Sequence, residues 1–263
     1  MEIGKIVSSS LKYPFRNIKK LPILFILFIL AAIVPIGLVS DNRYITIFGV
    51  IAFFLFILIV PGYMFSMVNL GLNESAMFPS VSFGKDIYNT IRLLVLRIVY
   101  MLVPTAIFLI VLHTIGISSV DMLHDFNIHG FFLSLALILI LVLIAYIVFE
   151  VLLFFAKARL AYLDSLTEAL KMHKVVGDIK KIGVFNIVKW LIFMGVLLVV
   201  ASVVSSWVMM IPYVGFLVYI GIVIPILESI GNYSLGLLYS NIVDNDGDLD
   251  KFDKELQALK YLN

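Results

Sequence analysis

The residue with the clearest chemical potential is Glu228, which lies in the apolar stretch IVIPILESIGNYS at positions 222–234. An ionisable side chain at the centre of a membrane helix costs about 2.5–3.5 kcal/mol, so it needs a partner or a role. Asn232 lies one helical turn later on the same face. Three interpretations stay open. Glu228 is protonated and hydrogen-bonded to a serine or a backbone carbonyl, it pairs with Arg97 or Lys189, or it lines a polar cavity for ions, protons or a substrate.

Two further ionisable residues lie inside apolar segments. Arg97 follows Arg92 by five residues, and Glu150 precedes Lys157 by seven. In helices, both side chains would lie about 7–10 Å below the same membrane face. The matched depths predict an Arg97–Glu150 ion pair. The candidate polar site inside the helices therefore consists of Glu228, Glu150, Arg97 and Asn232.

Other chemistries have little support in the sequence. The chain has no cysteine, and it contains no HExxH, P-loop, GxGxxG or GxSxG pattern. His113, His124 and His129 lie near Asp121 and Asp125, where a zinc site is conceivable, but a solvated loop explains the same residues. We therefore expect no catalytic residues, no cofactor and no metal, and a protein that is not an enzyme. The net charge of +2 gives no support for binding nucleic acid.

The composition predicts a protein that lies in a membrane. Hydrophobic residues make up 62% of the chain and the mean hydropathy is +1.12, whereas soluble domains are about 45–50% apolar. Apolar runs of about 20 residues, enough to cross a bilayer core, recur along the chain. Trp190 and Trp207 frame the fifth run as expected interfacial anchors, and Pro225 and Gly231 are expected to loosen the sixth. The runs predict an all-α, polytopic membrane protein with six transmembrane helices at about 21–40, 45–67, 93–114, 131–156, 189–210 and 214–238.

Basic residues lie almost entirely on one side of these spans, and Arg43 is the exception. The positive-inside rule then predicts a multi-pass protein of the cytoplasmic membrane with both termini in the cytoplasm. We expect one integral membrane domain over residues 1–243 and an acidic, helical cytoplasmic tail over residues 244–263. The basic residues on the cytoplasmic side are Lys5, Lys12, Arg16, Lys19, Lys20, Lys85, Arg92, Lys157, Arg159, Lys171, Lys174, Lys180, Lys181, Lys251, Lys254 and Lys260.

Amphipathic segments precede some of the spans. Within residues 1–20, apolar side chains recur at helical spacing among basic ones. We expect an interfacial helix there, with lysines toward anionic headgroups of the bilayer. The alternative is a membrane-proximal helix that covers the bundle. The capping box SLTE at residues 165–168 begins another such helix, for which both alternatives stay open.

A short pattern recurs at the start of the odd-numbered spans. NIKKL at residues 17–21, NTIRL at 89–93 and NIVKW at 186–190 each place an asparagine three residues before a basic residue. Each copy is expected to follow a helical, partly amphipathic segment. The pattern predicts three parallel repeats of an interfacial helix plus a helical hairpin. The alternative is that the pattern reflects no repeat, because a basic residue at the start of any membrane span produces a similar short sequence.

Several longer stretches occur in a characteristic order. They are LKYPFRNIKKL (11–21), PGYMFSMVNLG (61–71), FPSVSFGKDIYNTIRLLVLRIVYMLVP (78–104), IPYVGF (211–216) and GLLYSNI (236–242). In order and spacing, over about residues 11–243, the chain resembles the DUF4013 domain family. The resemblance implies a six-span membrane protein of prokaryotes, often archaea, and brings no established activity. Relatives often carry an arginine just after the Gly-Tyr pair, where this chain has MFSMVN.

The scarcity of polar groups inside the spans favours a structural, assembly or membrane-organising role. Its partners would be the bilayer with its anionic headgroups, other membrane proteins or further copies of the chain. The alternative is a transporter or channel for an ion or small solute, which would require Glu228, Glu150 and Arg97 to face one solvated cavity.

Overall fold

The computed structural model describes residues 2–124 and 128–246, with side chains for residues 2–111, 113, 136 and 138–242. These residues form helices joined by short turns and loops, and no strand occurs among them. A π-helical turn, Tyr219–Val223, joins the last two helices. The helices are α1 Ile3–Arg16, α2 Leu21–Val39, α3 Arg43–Leu72, α4 Phe83–His124, α5 Ile128–Leu163, α6 Leu166–Ala169, α7 Met172–Ile182, α8 Val184–Val208, α9 Val214–Val218 and α10 Ile224–Asp246.

Among the described residues, six helical segments are long and apolar enough to cross a membrane, which confirms the all-α, six-span class. They are Leu21–Val39, Arg43–Leu72, Phe83–Val111, Ile138–Leu163, Val184–Val208 and Val214–Ile242. We call the end of the bundle that carries Lys20, Arg92, Arg159 and Lys181 the basic end, and the opposite one, with the α2–α3 turn, the hairpin end.

Helices α3, α4, α5, α8 and α10 continue past the predicted span limits at the basic end. The additional turns of α3 and α10 pack on protein, whereas those of α8 are largely exposed. Residues 62–72 of α3 are buried on every side, as are most of residues 229–242 of α10. Apolar side chains nearer the hairpin end, such as Phe48, Phe54 and Val199, are exposed. Hydropathy falls toward the basic end because polar groups are buried there, while the helices themselves continue.

Glycines allow the helices at this end to touch through their backbones. A Cβ atom on Gly62 of α3 would overlap the Asp86 carbonyl of α4. Gly71 of α3 and Gly236 of α10 lie against each other, and a Cβ on either would overlap a carbonyl oxygen of the opposite helix. Such close approach is typical of small residues at membrane helix interfaces. The core of the protein is therefore organised around α3.

Helix α1 packs one face on this core and leaves another exposed. Tyr13 stacks on the ring of Tyr233, with ring centroids 3.9 Å apart, and its hydroxyl donates to the Met77 carbonyl. On the opposite side, Leu11 and Phe15 are exposed among basic residues. The helix thus covers the bundle, as the second expectation for residues 1–20 has it, and it also presents an exposed apolar and basic side. Contact of that side with lipid headgroups stays a prediction.

The segment with the SLTE box is a cover over the ends of α5 and α10. Ser165 accepts a hydrogen bond from the Glu168 amide, as the capping box predicts, although α6 is short and α7 begins at Met172. Val175 and Ile182 of α7 are buried in the core. The segment therefore covers the bundle, and its contact with lipid headgroups stays a prediction.

The threefold repeat stays a prediction. Helices α1 and α7 precede the first and third copies of the pattern. No separate helix precedes the second copy, because residues 73–82 form turns and loop and the helical residues 83–88 before Asn89 belong to α4 itself.

Two expectations about the last spans are each wrong at one residue, Trp190 and Gly231. Trp190 is buried rather than interfacial, because its Nε1 donates to the Ser234 hydroxyl at 2.9 Å; Trp207 is exposed. The irregular turn of the sixth span lies at Tyr219–Val223, just before Pro225, whereas Gly231 lies within the regular helix α10. A π-turn absorbs the disruption caused by the missing proline donor.

Candidate functional site

The predicted ion pair between Arg97 and Glu150 is present. The Arg97 guanidinium lies 3.3 Å from the Glu150 carboxylate and joins α4 to α5. The pair lies at the surface of the chain, with side-chain exposures of 65% for Arg97 and 38% for Glu150. On the same pair of helices, the hydroxyls of Thr105 and Tyr146 lie 3.2 Å apart and are also exposed. Polar groups therefore meet along the outside of this seam.

Glu228 has a different set of partners from those expected. The Asn232 amide donates to the Glu228 carboxylate at 3.0 Å, and Lys157 of α5 donates to the Asn232 side-chain oxygen at 2.5 Å. Neither suggested basic partner reaches Glu228, because Arg97 binds Glu150 and the Lys189 ammonium lies over the Phe185 ring. The basic group linked to Glu228 is therefore Lys157, and the Asn232 side chain connects the two by hydrogen bonds.

Sequence reasoning placed Lys157 outside the span because the apolar run ends at residue 156. Helix α5 continues to Leu163, which brings Lys157 alongside α10. Long stems let lysine reach a polar group from an apolar surface. The sequence did contain a signal for this contact, because a lysine so close to a predicted span end can still lie on the same helix and face its neighbour.

The four predicted site residues do not converge. Arg97 and Glu150 lie between α4 and α5, whereas Glu228 and Asn232 lie on α10 beside Lys157. Glu228 is exposed at the surface of the chain. The arrangement can hold opposite charges close together inside apolar segments, and it forms two separate polar groups rather than one shared site.

A third polar group, which sequence reasoning missed, fastens α7 to the bundle. Arg159 of α5 and Tyr239 of α10 both donate to one carboxylate oxygen of Asp178, each at 2.5 Å. Arg159 also donates to the Glu168 carbonyl at 3.1 Å. Asp178 and Arg159 are largely buried. One carboxylate thus connects three helices. The sequence signal for this contact was that Asp178 lies on the apolar face of an amphipathic helix, where an acidic residue needs a buried partner.

Glu168 lies at the rim of this group. Its carboxylate accepts hydrogen bonds from Lys171 at 2.5 Å and from Lys174 at 2.7 Å. These two ammonium groups lower the pKa of Glu168 to about 2. Nearby, buried Arg92 of α4 pairs with exposed Asp164 at 2.7 Å.

Among the residues that the structure describes, no group of three or more histidine and acidic side chains could hold a metal ion. The side chains of Asp121, His124, Asp125 and His129 lie outside the described residues. The suggested zinc cluster therefore stays a hypothesis.

Comparison with known proteins gives one match. The sequence model of a family described as a protein of unknown function (DUF4013) matches residues 45–212. The match is narrower than the resemblance over residues 11–243, and it leaves out the first and last of the characteristic stretches. No curated protein and no solved structure matches the chain.

Proposed function

Because the chain belongs to the DUF4013 family, whose function is unknown, we propose a function from its own residues: a structural, membrane-organising protein that assembles with further copies of itself through α4 and α5. The observation that carries this proposal is the exposed Arg97–Glu150 pair within apolar helices. Charged groups in the membrane interior are costly unless they face protein or water. A neighbouring protein surface would remove that cost.

The chemistry of this face favours a second copy of the chain over an unrelated partner. A surface that carries one arginine and one glutamate is its own complement when two copies meet across a twofold axis. Arg97 of one copy would then face Glu150 of the other, and the Thr105–Tyr146 hydroxyls would exchange in the same way. The apolar residues around them, Ile98, Leu102 and Leu109, are exposed and would pack between the copies.

Cross-linking tests this proposal directly, because the chain has no cysteine of its own. Ile98→Cys places a thiol on the proposed interface, and Ile192→Cys places one on α8 at a similar exposure, 57% against 61%. We expect Ile98→Cys to give a cross-linked dimer in native membranes and Ile192→Cys to stay monomeric. Arg97→Gln in the Ile98→Cys background should reduce the dimer.

Two results would count against self-assembly through this face. One is a monomer for Ile98→Cys at every cross-linker length. The other is equal cross-linking at both positions, which would indicate random collision.

We also propose that the basic end faces the cytoplasm, so that both termini lie there. The support is the asymmetry of basic residues across the spans. The exposed side of α1, with Leu11 and Phe15 beside Lys12 and Arg16, would then rest on anionic headgroups of that leaflet.

A second candidate function is ion or proton transport, favoured by the chain of Glu228, Asn232 and Lys157 within apolar helices. Flux into liposomes that contain the purified protein would decide it. Transport predicts flux that Glu228→Gln abolishes, and the absence of flux in the unmodified chain would exclude this function under those conditions.

A further inference from the structure

The turn between α8 and α9 is apolar throughout. The chain carries no charged residue between Lys189 and Glu228. We call residues 207–214 the apolar tip, and its exposed large side chains are Trp207, Met209, Met210, Ile211, Tyr213 and Val214. The turn between α2 and α3, at the same end of the bundle, is polar instead and carries Asp41, Asn42 and Arg43. The two turns therefore suit different surroundings.

The apolar tip lies nearer to the middle of the bundle than the polar turn does. A Cβ on Gly221 would meet the Ile29 side chain of α2 at 2.8 Å, so these two residues lie at one level. The polar turn begins at Ser40, eleven residues after Ile29, which is about 16 Å along a helix. Tyr213 lies eight residues before Gly221, which is about 12 Å. The apolar tip therefore ends about 4 Å short of the polar turn.

The backbone of the apolar tip finds hydrogen-bond partners within the turn. Four amides donate to carbonyls two to four residues earlier, namely those of Met210, Ile211, Val214 and Gly215. The bond from Val214 to the Pro212 carbonyl, at 2.7 Å, closes a γ-turn that holds Tyr213 at a φ of +63°. A γ-turn of this hand is rare and strained. Backbone that is kept from water needs such internal partners, so the turn is built for a place with little water.

We propose that the apolar tip is embedded in the lipid leaflet at the hairpin end, at the level where headgroups meet acyl chains. Trp207 and Tyr213 suit that level, because each ring is apolar and carries one polar group. In water the same side chains would stay solvated, and lipid removes that cost. The proposal goes further than an anchoring role for Trp207, since the whole turn leaves the water. It does not depend on self-assembly through α4 and α5.

Thiol labelling tests the proposal, because the chain has no cysteine of its own. Met210→Cys places a thiol in the apolar tip and Tyr44→Cys places one beside the polar turn, where the native side chains are 75% and 85% exposed. In permeabilised membranes, with both faces open to a water-soluble maleimide, we expect Met210→Cys to react at least about tenfold more slowly, because a thiol in apolar surroundings forms little thiolate. Both should react alike after unfolding in detergent. Equal rates in the membrane would place the turn in water and overturn the proposal.

Tryptophan fluorescence distinguishes lipid from a protein that covers the turn. Of the two tryptophans in the chain, Trp207 is exposed and Trp190 is buried. In liposomes of phosphatidylcholine brominated near the top of its acyl chains, we expect strong quenching in the unmodified chain. Trp207→Phe, which keeps only Trp190, should show little quenching. Slow labelling of Met210→Cys together with an unquenched Trp207 would mean that protein covers the apolar tip, and would overturn the assignment to lipid.

Discussion

At the scale of single residues, the structure separates two kinds of charged group. Arg159 and Asp178 are buried among protein, where each neutralises the other and the Tyr239 hydroxyl completes the contact. Arg97 and Glu228 are exposed on the outside of apolar helices. Buried pairs depend strongly on both members, because loss of one leaves the other uncompensated. The buried charged groups should therefore determine the free energy of unfolding. The exposed charged groups should determine which molecules bind to the outside of the helices.

Asp178→Asn should destabilise the protein strongly, because Arg159 stays buried with only the more distant Glu168 carboxylate nearby. We expect a loss of about 3 kcal/mol in the free energy of unfolding, as for other broken buried pairs. Denaturant unfolding in detergent would measure it. Asp41→Asn makes the same chemical change at an exposed turn and should change stability by less than about 0.5 kcal/mol.

A double substitution sharpens this test. Arg159→Met combined with Asp178→Leu removes both charges, and it should be less harmful than Asp178→Leu alone. If the double variant is the less stable of the two, the Arg159–Asp178 pair does not hold α7 in the way described.

At the scale of helices, packing at the basic end depends on close contact between helix backbones more than on the apolar area that is buried. Gly71 and Gly236 let α3 and α10 touch, and Gly62 does the same for α3 and α4. Such contact gains van der Waals packing that larger side chains would prevent. In contrast, α8 presents mostly exposed apolar side chains and is joined to α10 through Trp190 and Ser234.

Gly71→Ala and Gly236→Ala should each destabilise the protein by about 1–3 kcal/mol or more, because the added methyl group overlaps backbone that cannot rotate away. Gly195→Ala on α8 is the matched control, since a Cβ there meets nothing within 4 Å. It should be neutral, or stabilising by up to about 1 kcal/mol through helix propensity. Thermal unfolding in one detergent would compare the three, and equal melting temperatures would refute the close crossing.

At the scale of the whole molecule, six spans could be predicted because a run of about 20 apolar residues has few other solutions. The Arg97–Glu150 pair was predictable from matched depths along two helices. The role of Lys157 was not, because hydropathy marks where lipid contact ends and not where a helix ends. The contacts of Tyr13 and Asp178 join distant segments, and no local pattern encodes which distant residues will meet.

Chemical labelling would test the orientation of the whole chain. Tyr44→Cys places a thiol at the hairpin end, where Tyr44 is 85% exposed, and His173→Cys places one at the basic end on exposed α7. A membrane-impermeant maleimide should label Tyr44→Cys in intact cells and His173→Cys only after permeabilisation. Labelling in the opposite order would place the termini outside.

The stacking of Tyr13 on Tyr233 has a consequence for synthesis of the chain. At about 5–20 residues per second, the ribosome needs roughly ten to forty seconds between these two residues. During that interval Ile6, Ser10 and Tyr13 lack the last helix that covers them in the finished protein. Helix α1 therefore cannot complete its packing on the core until α10 has been made. The fold closes only when the final span is in place.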